Sequence, residues 1–240
     1  MGVIKAALGD AILTSLWVFC SSTLRILTAQ VAVFLGLQHV SLAGLFISTI
    51  LATILVFTIS FIGSRLLGGA RFNPSTTISF YTAGLRADST LASMAVSFPA
   101  QAAGGAFGAK GILQVVPTQY KHILKGPSLK VDLHTGAVAE GVLTFAFNLV
   151  ILLIMIKGPK NPLLKVYLVA VATVALVIPG SHYTGPSMNP ANAFGWAYVY
   201  NKHNTWDHFY VYWICPFIGA ILAGLLFRFL FISPVKQKKA

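Results

Sequence analysis

Residues 41–63 read SLAGLFISTILATILVFTISFIG, without a single charged side chain. A bilayer core about 30 Å thick takes roughly 20 helical residues to cross, so this stretch reads as a membrane span. Five further windows reach the same length, at about 6–30, 91–115, 136–156, 164–182 and 208–233. Only 9% of the 240 residues are charged, against about a quarter in soluble domains. An ordinary soluble globule and intrinsic disorder are both excluded. The first stretch has only Lys5 before it and is too long for a signal core, so it is expected to stay as a span. The net charge of +12 does not indicate nucleic acid. The basic residues are scattered between apolar runs and build no stripe interleaved with aromatics. They fit the loops of a membrane protein instead. Six spans put both termini on one side, and that side receives eleven of the 17 Lys and Arg. The excess predicts cytosolic termini. Cys20 and Cys215 fall inside apolar runs and are expected as core residues, not as a disulfide or metal site.

Two apolar stretches are too short to cross. NPSTTISFYTAG (73–84) and NPANAFGWAYVY (189–200) would each be roughly 18 Å long as helices, about half the bilayer core. Each opens with Asn-Pro, where Asn caps the first turn and Pro at the first helical position loses no hydrogen bond. A third pair, Asn161-Pro162, reads as an ordinary cap on the fifth span.

The chain also repeats itself. Asp10 and Thr14 lie early in the first span, and Glu140 and Thr144 lie at the same place in the fourth. Gln101 and Gly104 follow Asn73 by 28 and 31 residues, while Pro216 and Gly219 follow Asn189 by 27 and 30. Each half reads span, span, half-helix, span. Three crossings is an odd number, so the halves face opposite ways in the membrane. The expectation is a single channel-like domain over 1–240, with one half at 1–116, a lumenal connection at 117–135, and a second half with a short tail at 136–240.

Paired Asn-Pro boxes (Asn73-Pro74-Ser75 and Asn189-Pro190-Ala191), acid-x-x-x-Thr opening each half, and YWICPFIGA at 212–220 together resemble the aquaporin, or major intrinsic protein, family. The resemblance covers essentially the whole chain. It implies an all-α membrane fold of six transmembrane helices plus two re-entrant half-helices in an inverted repeat. The short leading segment, Ser75 in the first box and Asn192 after the second are most similar to the small basic intrinsic proteins, a plant subfamily associated with the endoplasmic reticulum. The resemblance also implies a homotetramer with one pore per subunit, no cofactor and no metal.

Two half-helices entering from opposite faces would meet N-terminus to N-terminus at mid-membrane. Each carries about half a positive charge there, which repels cations, and Asn73 and Asn189 would turn amide groups into the lumen. Asp10 and Glu140 are two of only five acids, and both sit within spans, where an acid is a functional-site candidate by default. A proton relay is one reading. The other, which the resemblance supports, is that each carboxylate braces a re-entrant loop, with Asp10 one methylene shorter than the family's usual Glu. The resemblance maps the family's aromatic/arginine constriction onto Thr53, Val177, Pro186 and Asn192. That ring has no Arg and no aromatic side chain, which leaves water selectivity open. Ala193, Ala197, Tyr212 and Trp213 resemble the water-channel form of the family more than the glycerol form.

The expected function is therefore passive water conduction across an intracellular membrane, and no enzymatic motif occurs at a span end. The alternatives are a channel for another small neutral solute (hydrogen peroxide, ammonia, urea or glycerol) and a non-conducting scaffold. Partners are water or such a solute and the lipid bilayer. Lys236 and Lys238 in the ending KQKKA resemble a dilysine retrieval signal for the endoplasmic reticulum; a positive anchor for anionic headgroups is the plainer reading. His182 is expected to bond loop backbone, and His203 and His208 are expected with Asp207 in a solvated lumenal loop.

Overall fold

A computed structural model describes residues 2–86 and 89–232, and among these the chain forms helices and no strand. Lys236 and Lys238 lie outside the described residues. The long helices are α1 (Val3–Phe34), α2 (Ser41–Phe61), α4 (Leu91–Val115), α5 (Leu133–Leu152), α6 (Pro162–Gly180) and α9 (Cys215–Phe231). Between them lie α3 (Pro74–Thr82), α7 (Pro190–Val199) and the single turn α8 (Trp206–Phe209).

Wide π turns extend α2 over Ile62–Leu66 and α5 over Leu153–Lys157, and a third joins α8 to α9 over Tyr210–Ile214. Pro216 accounts for the third. It has no N–H to donate and its ring crowds the preceding turn, which a π turn relieves.

Polar caps start three of the six long helices. Thr90 and Ser93 exchange hydrogen bonds of 3.1 and 2.9 Å to begin α4. The Asp132 carboxylate accepts from Thr135 N–H at 3.0 Å to begin α5; hydrogen bonds from the Thr135 side chain and backbone hold its carboxyl below the usual range. Asn161 accepts from Leu163 and Leu164 N–H at 2.9 and 3.2 Å ahead of Pro162, so the third Asn-Pro pair does open α6.

Five of the six long segments combine the length and hydropathy needed to cross a bilayer, and α4 is the exception among the described residues. The reason lies in its packing. Gln101, Gly104, Gly105 and Gly108 are buried on α4, where small and polar residues face other helices rather than lipid. The half-helices are shorter than the expected 73–84 and 189–200. α3 stops where Gly84 turns to φ 74°, and α7 stops before Asn201 at φ 55°.

Burial runs opposite to that of a water-soluble protein. Phe34, Phe107 and Phe229 are 88%, 77% and 84% exposed, whereas Asp10, Glu140, Gln101 and Asn148 are buried. Apolar surface of this extent is stable only against lipid.

Packing follows the repeat. α1 lies on α4 and α5 on α9, α1 lies beside α2 and α5 beside α6, and α2 meets α6 between the halves. Each half-helix leaves its own half: α7 packs on α4 and α3 on α9. The glycine pair found by spacing explains how the long helices come so close. A methyl at Gly104 would collide with the carbonyl oxygen of Ala11, next to Asp10, and a methyl at Gly219 with that of Gly141, next to Glu140. The link between halves, Val116 to Asp132, carries one 3-10 turn at Thr118–Ile123.

Candidate pore site

Both re-entrant loops end in an asparagine that caps the half-helix it precedes. Asn73 is extended (φ −135°, ψ 108°), and its Oδ1 accepts from Ser75 and Thr76 N–H at 2.9 and 3.4 Å. Asn189 repeats this (φ −146°, ψ 102°), accepting from Ala191 and Asn192 N–H at 3.1 and 3.4 Å. The backbone N–H groups so capped are among the orphan donors that every helix start exposes. Pro74 and Pro190 then begin the helices without losing a bond.

The loops are also joined tip to tip. Asn73 Nδ2 donates to the carbonyl of Met188 at 3.0 Å, and Asn189 Nδ2 donates to the carbonyl of Phe72 at 3.0 Å. Each amide nitrogen carries two hydrogens, so this reciprocal bond leaves one on each side with its direction fixed. The two N-termini therefore meet at one level, 116 residues apart in sequence and related by the inversion.

The two carboxylates reach these loops unequally. Glu140 is fully buried; its Oε1 accepts from Thr184 Oγ1 and Ser187 N–H, both at 2.9 Å, and its Oε2 accepts from Met188 N–H at 3.2 Å. Asp10 Oδ1 accepts from Arg71 N–H at 2.8 Å, while its Oδ2 takes the Gln101 side chain of α4 at 2.9 Å. The shorter acid thus holds its loop through the Arg71 N–H and is itself steadied by a helix. Met188 has φ 49°, a strained conformation for a residue with a side chain. Its N–H goes to Glu140 and its carbonyl receives Asn73, so both of its backbone groups are held in that conformation. Trp17 stacks on Phe72 with centroids 4.6 Å apart, and Tyr212 O–H donates to the Thr184 carbonyl at 3.1 Å.

Of the four positions mapped to a constriction, Pro186 lies in the second loop and Asn192 in the first turn of α7 behind it. Asn192 Nδ2 donates to Ser187 Oγ at 3.1 Å, and that hydroxyl donates to the Asn189 carbonyl at 2.7 Å. Thr53 and Val177 lie on α2 and α6, which pack together. The Thr53 hydroxyl donates to the Thr49 carbonyl of its own helix at 2.7 Å. Among the described residues no hydrogen bond ties either of them to the loop.

His208 is not in solvated loop. It is buried, accepts from Trp213 Nε1–H at 3.3 Å, and stands beside Phe194 and Tyr212. The cause is the turn at Asn201, which folds 206–214 back over the end of α7. His203 lies against the Tyr198 ring at 4.8 Å. His182 is exposed and makes no hydrogen bond to loop backbone among the described residues. Cys20 and Cys215 are free and half-buried. Among the described residues no three His, Cys, Asp or Glu side chains gather as a metal site.

Thr184, Ser187 and Asn148 did not stand out beforehand. The available signal was a polar side chain inside an apolar window: Asn148 is one, in the fourth span. Gln101 was visible as a repeat marker, but its spacing parallels Pro216, which cannot serve a carboxylate.

Comparison with known proteins agrees with this architecture. The family described as Major intrinsic protein matches residues 1–227. Aquaporin SIP1-2 of Zea mays is 53% identical, covering 99% of this chain and 96% of its own length. Aquaporin SIP1-1 of Oryza sativa subsp. japonica is 51% identical over 100% of this chain and 98% of its own. Aquaporin SIP1-1 of Arabidopsis thaliana is 48% identical over 100% and 98%. Among solved structures, the aquaglyceroporin from Plasmodium falciparum superposes with a TM-score of 0.69 at 16% identity, covering 96% of this chain and 98% of that one. At that identity the likeness is one of fold.

Proposed function

The chain belongs to the major intrinsic protein family, and from that premise we propose that it is a passive water channel of an intracellular membrane. It is an integral, multi-pass membrane protein and a channel-family member, not an enzyme. The observation that carries the water reading is the reciprocal bond between the loops. Asn73 and Asn189 each commit one amide hydrogen to the opposite loop and keep one in a fixed direction.

A water passing between them can accept both remaining hydrogens. Its own hydrogens then point up and down the file, away from the midplane. A proton wire needs each water to donate to the next in the same sense, and this orientation interrupts it. The two half-helix N-termini add about half a positive charge each at the same level, so cations meet a barrier where the file is most constrained. The donors are held before water arrives, by Glu140 on one side and by Asp10 with Gln101 on the other.

Further parts of the reading rest on the resemblance and on charge. The Asn73-Pro74-Ser75 and Asn189-Pro190-Ala191 boxes line the pore, and Thr53, Val177, Pro186 and Asn192 form its constriction. The halves at 1–116 and 136–240 are joined by a lumenal 117–135. Four copies assemble, both termini face the cytosol, and Lys236 and Lys238 address the protein to the endoplasmic reticulum.

A second reading is favoured by one observation. Asn192, bonded to Ser187, stands where typical water channels carry Arg, so the ring has no fixed charge. A neutral solute larger than water meets less resistance there.

Stopped-flow osmotic shrinkage of proteoliposomes tests the first reading, with urea, glycerol and proton flux in parallel. Water permeability well above that of empty vesicles, with low proton flux, is the expected result. Permeability equal to empty vesicles overturns it.

A further inference from the structure

The two half-helices rest on different kinds of surface, a polar seam under α3 and a close glycine contact under α7. Along α3 and its C-cap, Ser75, Ser79 and Ala83 are each fully buried at successive four-residue steps. On α5, so are Thr144, Asn148 and Leu152. Ser79 Oγ bonds Asn148 Oδ1 at 3.0 Å, and one turn further Ala83 shares an apolar cluster with Leu152. The bond at 79–148 and the shared cluster of Ala83 and Leu152 one turn on fit helices that run parallel and in register. One turn back, the same register sets Ser75 level with Thr144. Among the described residues neither Ser75 Oγ nor Thr144 Oγ1 has a hydrogen-bond partner. Thr14, the counterpart of Thr144, donates to its own helix at Asp10 O, 2.7 Å away, whereas the Thr144 hydroxyl makes no such bond.

By the inversion, Ser75 and Ser79 correspond to Ala191 and Gly195 on α7, and Thr144 and Asn148 correspond to Thr14 and Val18 on α1. Those positions make no polar pair, and Gly195 instead lies against the backbone of Gly105. The polar seam belongs to the half with the shorter acid, whose loop also ties Arg71 to Ser89 at 2.6 Å. Glu140 gives the second loop three hydrogen bonds, while Asp10 accepts Arg71 N–H from the first.

We propose that the first half-helix is anchored from the opposite half of the molecule, by a seam in which Ser79 bonds Asn148 and one buried water bridges Ser75 and Thr144. A buried water needs two to four polar partners, and two buried hydroxyls set level by this register would supply donors and acceptors in either sense. Leaving two buried hydroxyls unpaired would be costly; the bridge removes that cost and fixes α3 along its axis, with Asn73 at its tip. Ser75 is thus a positioning residue, and Ala would not serve at this box as it does at the other.

The test is thermal melting of the purified full chain in detergent, which involves no transported solute and so stands apart from the water-channel reading. Ser75→Ala is expected to lower the melting temperature by about 2–4 °C in the wild type. It should do the same in a Thr144→Ser background, which keeps the hydroxyl. In a Thr144→Val background it should cost nothing, because the bridge is already gone. An equal cost in the Thr144→Val background, or no cost in the wild type, overturns the proposal. Should Thr144→Val fail to fold, a high-resolution density map of the wild type decides. A solvent peak between the two hydroxyls supports the seam, and direct contact of the hydroxyls or a dry gap refutes it.

Discussion

Substituting Asn189 with Asp changes the charge at the meeting point of the half-helices while sparing most of the local fold. Asp keeps the oxygen that caps α7, now accepting from Ala191 and Asn192 N–H at 3.1 and 3.4 Å. A negative charge at a helix N-terminus is itself favourable by about 0.3–1 kcal/mol. Against this, the bond from Nδ2 to Phe72 O at 3.0 Å becomes a contact between two acceptors, which costs about 1–3 kcal/mol. The net cost is a fraction of a folding free energy of about 5–15 kcal/mol, so the variant should fold. The electrostatic consequence falls on permeating ions. Two helix termini contribute roughly one positive charge in total, and one carboxylate cancels it. A monovalent cation about 4 Å from that carboxylate gains about 1 kcal/mol in bulk water and about 4 kcal/mol at an effective dielectric of 20. At tenfold per 1.4 kcal/mol, cation occupancy at mid-pore rises between about fivefold and about 700-fold. Proteoliposomes loaded with a pH-sensitive dye should therefore show proton or potassium leak well above the wild type, with water flux retained. Unchanged ion leak in a variant that still conducts water would refute the reasoning, because exclusion would then not arise from the field at the loop tips.

Asn192→Arg should return a fixed charge to the second loop in place of the bond to Ser187 at 3.1 Å; urea and glycerol uptake should fall relative to water in light-scattering assays. Gly219→Val places a side chain on the Gly141 carbonyl and forces α5 from α9. Overpacking of this kind costs about 1–3 kcal/mol, read as a fall in melting temperature of several degrees. Asp132→Ala removes the cap on α5. The Asp132 carboxyl is held below its usual range, so the cap stabilises fully above the ordinary carboxylate value and fades as pH falls through the lowered one. Wild type and variant should differ in melting temperature at neutral pH and converge in acid.

The spans were legible because lipid imposes one requirement on every helix facing it. Residues 41–63 and 136–156 satisfy that requirement in composition alone. Window 91–115 was legible by length, although α4 falls short in hydropathy because its glycines and Gln101 face protein. The half-helices were legible because 12 residues cannot cross and Asn-Pro starts a helix, yet their ends came two residues early in α3 and one in α7. Termination depended on turns at Gly84 and Asn201. Contacts between distant residues left no such trace. Asp10 and Glu140 are conspicuous as acids in apolar runs, but which donors face each acid depends on tertiary structure. His208 is polar and follows a loop, and only the chain reversal at Asn201 reveals that Trp213 and Phe194 enclose it.

The asymmetry between the halves has a mechanical consequence because the loops are tied reciprocally. Asn73 depends on the Met188 carbonyl, and Met188 depends on Glu140 through its N–H. The first asparagine is therefore located through the second loop's brace as much as through its own. Asn189 depends on the Phe72 carbonyl, and Phe72 is steadied by Trp17 and by the neighbouring Arg71 N–H on Asp10. Each tip is a product of both anchors. A weaker acid contact in one half is tolerable under that arrangement, since the stronger brace at Glu140 acts on both tips and α3 is tied to α5 through Ser79 and Asn148. An inverted repeat thus does not require equal halves. It requires that each half supply what the other half's loop lacks, and here the fourth span supplies both the stronger carboxylate and the polar seam.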